Sequence, residues 1–206
     1  MDKRLIWLAV GAFTVSTVGF VFSTLLPAIA ADAHVTIPEA GHLITAFSLA
    51  YAVGAPVLSA LAGAVDRRKV LGAAMLTFVA GNLAAAVSGS FGALFWAQVL
   101  MGMSAGLFAA TAQATAVAMA GLEHRARAIA VVVGGTTFAV ALGAPAASLI
   151  GNLWGWRGTF LSIAALGLVC ATVLLWRLPR GSRGTKMTLG ERFAVVGRPG
   201  VFPALV

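Results

Sequence analysis

Long apolar runs separated by short polar breaks organise this chain. After Lys3-Arg4, the stretch from Leu5 to Ala31 carries no charged residue, and about 20 apolar residues rising 1.5 Å each are enough to cross a hydrocarbon core. Five further runs follow, so the pattern predicts helical spans at about 5–31, 37–65, 70–87, 92–120, 128–150 and 159–176. The breaks have their own chemistry. Thr36-Ile37-Pro38-Glu39 reads as a capping box with proline in the first turn, which starts span two. Asp66-Arg67-Arg68-Lys69 is a four-charge turn into span three, and Ser88-Gly89-Ser90 turns the chain into span four. Glu123-His124-Arg125-Ala126-Arg127 breaks span four from span five, and Asn152 to Arg157 forms an aromatic turn suited to a membrane interface. Pro27, near the end of span one, marks a bend or stop. Ala28-Ile29-Ala30 has the small-x-small pattern of a signal cleavage site. The apolar run before it is longer than the roughly 7–15 residues of a secretory signal, so span one is read as a retained helix.

Composition agrees with this reading. The chain is 60% hydrophobic and 10% charged with mean hydropathy +0.98, against about 25% charged residues in soluble domains. The expected fold is an all-α, polytopic membrane bundle whose first partner is the lipid bilayer. A formal charge of +8 would point to nucleic acid in a soluble protein. Here the basic residues fall in the gaps between spans, so they set topology and no nucleic-acid partner is expected. With the amino terminus in the cytoplasm, all of the 14 Lys and Arg residues except Arg157 face inward, and the positive-inside rule then puts both termini on the cytoplasmic side. Residues 1–176 form the bundle, and 177–206 form a basic, Gly-rich tail whose final apolar piece, Gly200 to Val206, is too short to cross.

Little here resembles a reactive centre. Cys170 is the single cysteine and lies inside an apolar run, facing lipid or packing. His34 and His42 flank Asp32 and Glu39 without metal-ligand spacing. No nucleophile and base share a membrane depth, so neither an enzyme nor a cofactor is expected. Trp7, Trp96, Trp154, Trp156 and Trp176 lie near span ends, as interfacial anchors do.

An internal match goes further. Gly54-Ala55-Pro56-Val57-Leu58-Ser59 in span two resembles Gly143-Ala144-Pro145-Ala146-Ala147-Ser148 in span five, and the same register pairs Arg68 with Arg157. Spans two and five run in opposite directions, as an inverted three-plus-three repeat requires; coincidence in an Ala- and Gly-rich chain is the alternative.

The residues that carry a family likeness are spread along the chain. They are Leu25-Leu26-Pro27, Ala40-Gly41, Gly54-Ala55-Pro56, Asp66 to Leu71, Gly102, Gly106-Leu107-Phe108, Arg125 to Ala130, Gly143-Ala144-Pro145 and Gly155 to Phe160. Together they resemble the major facilitator superfamily, in particular its drug:proton antiporter-type bacterial efflux members. The resemblance implies a multi-pass inner-membrane transporter that exports a small organic solute (a drug, a sugar or a nucleobase-like molecule) by alternating access. It also implies that Asp66, Arg67 and Arg68 form a gating latch, in a shortened form without the usual intervening glycine. Gly54, Pro56, Gly143 and Pro145 would then be a helix-packing, antiporter-like motif.

Two departures stand out. The places where the family often has an acidic residue in span one and an arginine in span four hold Gly19 and Gln98, and no Asp or Glu lies inside any predicted span. Proton coupling therefore does not follow from this sequence. In addition, the chain reaches only one six-span half. It is expected to be a fragment that continues into a second half, which Pro199 to Pro203 resembles, or a half that pairs with a second copy. A degenerate half acting only as a membrane scaffold is the alternative function. Gln98, Gln113, Asn82 and Thr24, with Thr111 and Thr115, are the substrate-path candidates, because a buried amide or hydroxyl needs a polar partner.

Overall fold

The computed structural model describes residues 4–178, and the tail expectations beyond Leu178 lie outside the described residues. Helix α1 is Arg4–Asp32, α2 is Ile37–Leu61 followed by a 3-10 turn Ala62–Ala64, and α3 is Arg67–Ala86. Helical backbone then runs from Phe91 to Arg177, interrupted at Gly121 (φ 69°, ψ 179°) and Gly155 (φ 71°, ψ 172°). These two residues divide it into α4 (91–120), α5 (122–154) and α6 (156–177). Left-handed backbone is open to glycine without steric cost, which is why single residues suffice to reverse the chain there.

Among the described residues, five stretches are long and apolar enough to cross a membrane, and the last, Glu123–Arg177, has 55 residues. At 1.5 Å per residue that is about 80 Å, more than twice a hydrocarbon core. Gly155 therefore separates two crossings, and the described residues make six.

The predicted capping box is present. Thr36 Oγ1 accepts from the Glu39 amide at 3.4 Å, and Glu39 Oε2 accepts from the Thr36 amide at 2.8 Å. Three boundaries differ from expectation. Arg67, Arg68 and Lys69 are not a loop but the first turn of α3, capped by Asp66, whose Oδ1 accepts from the Arg68 amide at 2.9 Å. Residues 123–127 are helical rather than a break, and the turn is confined to Gly121. Residues 152–157 likewise hold only one non-helical residue, Gly155. The physical reason is common to all three. Charged and polar side chains forbid the hydrocarbon core but not helical backbone, so a helix extends into the aqueous zone until a glycine or a cap ends it.

The core lies among α1, α3, α4 and α6. Phe22, Phe78, Phe108 and Phe160 are almost completely buried, and the Phe160 ring packs against Phe22 at 5.3 Å and Trp156 at 5.9 Å. Trp156 is thus a core residue rather than a headgroup anchor, whereas Trp96, Trp154 and Trp176 are exposed. Cys170 is buried with its Sγ 3.8 Å from the Trp7 carbonyl oxygen, a packing role. Helices α2 and α5 flank this core. In α2 the buried positions end at Gly54, and Leu49, Val53 and Leu61 are exposed.

The repeat is visible in which helix touches which. A methyl group at Gly54 would lie 2.7 Å from both the Cα and the carbonyl oxygen of Met103, so α2 presses its backbone on α4. Gly143, its match, packs α5 on α1, with Thr17 Cγ2 3.4 Å from the equivalent point. Exchange of α4 for α1 between the two contacts is the expected relation when helices α1–α3 are superposed on α4–α6.

Candidate functional site

Two arginine-centred clusters sit at opposite ends of the bundle. At the end bearing Asp66 to Lys69, Arg67 Nη1 donates to the Ala114 carbonyl oxygen of α4 at 3.1 Å. Capping by Asp66 sets the first turn of α3, and that turn aims Arg67 across to α4. Arg68 is half-buried and Lys69 exposed. Of the three expected latch residues, the structure therefore joins Asp66 and Arg68 through the cap and gives the reach between helices to Arg67.

At the opposite end, Arg157 Nη2 forms an ion pair with Asp32 Oδ2 at 2.8 Å and donates to the Ser88 carbonyl oxygen at 3.1 Å. Its guanidinium carbon lies 4.2 Å from the centre of the Trp156 ring. One side chain thus ties together the ends of α1 and α3 and the start of α6. A polar cavity of about 320 Å³ lies beside it, lined by Asp32, His34, Ser88, Ser90, Trp156 and Arg157 among others. Sequence reasoning missed this cluster as a unit, although the register that pairs Arg68 with Arg157 was the signal. The two clusters are alike in kind but not in register: Arg67, rather than the Arg68 that the repeat pairs with Arg157, reaches α4, while Arg157 reaches α1.

Thr24 and Gln113 do not converge. Thr24 and Gln113 are exposed, yet Thr24 lies in the last third of α1 and Gln113 in the last third of α4. Because these helices run in opposite directions, the two positions differ in depth by roughly 20 Å at 1.5 Å per residue. Thr24 Oγ1 donates to its own helix at Phe20 O, 3.4 Å. Asn82 and Gln98 are both fully buried, at 0% exposure. Thr111 and Thr115 are buried, and Thr115 Oγ1 donates to the Thr111 carbonyl oxygen at 2.7 Å. Pro56 is half-buried within α2 and Pro145 exposed within α5, and Gly54 and Gly143 are buried. Among the described residues no group of three or more His, Cys, Asp or Glu is placed to hold a metal ion.

A second cavity, about 580 Å³ and almost wholly apolar, runs between α1 and α5, with Ile6, Val10, Phe13, Gly134 and Phe138 among its lining. Ile6, Phe138 and Leu142 of this lining are exposed, so the cavity opens on an apolar surface.

A six-crossing bundle of two inverted three-helix units is an architecture on which many membrane transporters are built. The family model of the Major Facilitator Superfamily matches residues 8–204. The inner membrane transport protein YdhP of Escherichia coli K12 is 35% identical over 206 residues, all of this chain and 53% of YdhP. A chloramphenicol resistance protein of Streptomyces lividans is 37% identical over 195 residues, 95% of this chain and 50% of that protein. Among solved structures, a D-xylose-proton symporter superposes with TM-score 0.68 at 16% identity, over 94% of this chain and 51% of that one. The chain belongs to the major facilitator superfamily. It spans about half the length of the curated relatives it matches.

Proposed function

We propose that this chain is the amino-terminal half of a bacterial inner-membrane efflux transporter, moving a small neutral or amphiphilic organic solute by alternating access. The Arg67 to Ala114 contact carries the reading: the motif that resembles a gating latch is assembled at a helix end, capped by Asp66 and engaged with a neighbouring helix. A chloramphenicol resistance protein among the relatives supports export of a drug-like molecule. The inner membrane is supported by the YdhP likeness, and cytoplasmic termini by the placement of all Lys and Arg except Arg157 on one side.

In this reading Asp66, Arg67 and Arg68 hold the cytoplasmic gate. Gly54 with Pro56 and Gly143 with Pro145 are the packing motifs about which the helices rock. Thr24 and Gln113, being exposed, are the side chains that a passing solute meets at two depths. The apolar α1–α5 face receives the other half of the transporter, supplied by a longer chain or by a second copy. The test is Arg67→Ala in a protein carrying both halves, measuring energised efflux of chloramphenicol from cells. Loss of efflux with unchanged membrane insertion is expected. Wild-type efflux from that variant would remove the latch from the mechanism.

A further inference from the structure

Gln98 is fully buried, and neither its Oε1 nor its Nε2 has a hydrogen-bond partner within the protein. Asn82, also fully buried, donates from Nδ2 to the Phe78 carbonyl oxygen at 2.8 Å and leaves its Oδ1 unpartnered. The two residues are not scattered. Helices α3 and α4 are antiparallel and meet closely at Gly81, where a methyl group would lie 2.5 Å from Met101 Cγ and 3.4 Å from the Ala97 carbonyl oxygen. In antiparallel helices, the residues that follow two facing positions rotate toward the same side of the seam at the same depth. Asn82 follows Gly81 and Gln98 follows Ala97, so both amides enter one region of the core. Several buried hydroxyls of the bundle donate to their own helices, whereas Thr159 Oγ1 on α6 is, like the amide atoms, buried without a partner. Thr14 donates to Val10 O, Thr17 to Phe13 O and Ser104 to Leu100 O.

We propose that Asn82 and Gln98 form an internal hydration site, an amide pair that holds water within the α3–α4 seam. Three unpartnered amide atoms offer two acceptors and a donor, and a buried water commonly makes about three hydrogen bonds. In the membrane interior no other solvent can meet that demand. The site also separates these residues from the solute path: they are 0% exposed, unlike Thr24 and Gln113.

The test is radiolytic footprinting of the purified chain in lipid discs with no solute added, so that hydroxyl radicals arise only from water. Met101, fully buried beside Gly81, is the reporter, and Met75, equally buried on α3 beside Gly167, is the internal control. Oxidation of Met101 to the sulfoxide well above Met75 is expected in the wild type, with loss of that labelling in Asn82→Leu/Gln98→Leu. Because the wild-type result needs no variant to fold, an unlabelled Met101 overturns the proposal outright. Equal labelling of Met101 in the wild type and the double variant also overturns it. A thermal double-mutant cycle gives a second reading. Each single leucine variant should lower the melting temperature, and the double variant should lose less than the sum. Additive shifts would mean two independent amides and no shared water.

Discussion

The two glycines of the repeat make a paired experiment in which most confounding effects cancel. Replacing either Gly54 or Gly143 by alanine adds one methyl group inside a helix, and each gains the same helix propensity, about 1 kcal/mol. The surroundings differ. At Gly54 the new Cβ would stand 2.7 Å from two backbone atoms of Met103, where ordinary contact begins at 3.4 Å. Those backbone atoms belong to α4 and cannot turn aside as a side chain does, so α2 and α4 must separate by about 0.7 Å, the difference between these two distances. Overpacking of this kind costs about 1–3 kcal/mol. At Gly143 the nearest atom is Thr17 Cγ2 at 3.4 Å, an ordinary contact. The difference between Gly54→Ala and Gly143→Ala is therefore the overpacking cost alone. It corresponds to roughly 2–12 °C in melting temperature for a chain of this length. Fluorescence-detected thermal unfolding of the purified chain in one detergent measures it. A Gly143→Ala protein that melts as low as Gly54→Ala would refute the claim that the α2–α4 seam is the tighter of the two.

Phe160, fully buried between Phe22 and Trp156, should cost about 3–5 kcal/mol when cut to alanine, seen as loss of monodisperse protein on size exclusion. Asp32→Asn breaks an ion pair whose side chains are 41% and 44% exposed, so its effect should stay at or below about 1 kcal/mol and shrink further in high salt. Thermal unfolding across a salt series reads both. In a Cys170→Ser background, Lys69→Cys should react with an impermeant maleimide only in inside-out vesicles and His34→Cys only in intact spheroplasts. The reverse pattern would overturn the proposed cytoplasmic termini.

Which parts were legible beforehand follows from the physics of each signal. Crossing number and approximate limits are set by run length and by the cost of charge in hydrocarbon, both local properties, so six spans could be read directly. The Thr36–Glu39 box is likewise local, needing only a hydroxyl and a carboxylate three residues apart. Helix ends differ from expectation at 67–69, 123–127 and 152–157 because exclusion from the membrane core says nothing against helix outside it. The sequence reads Trp156 as an anchor because composition at a span end cannot tell whether a ring turns to lipid or to Phe160.

By itself the sequence determined the number of crossings and a family likeness. Tertiary structure alone decided which helix each motif touches. It put Gly54 on α4 and Gly143 on α1, gave the reach across the bundle to Arg67 rather than Arg68, and assembled Asp32, Ser88, Trp156 and Arg157 from three helix ends. It also buried Asn82 and Gln98 while leaving Thr24 and Gln113 at the surface and far apart in depth. The reason is that span propensity depends on residues adjacent in the chain, whereas contact between spans depends on rotation of each helix about its axis. A strongly apolar helix, hydrophobic on every side, carries almost no sequence record of that rotation.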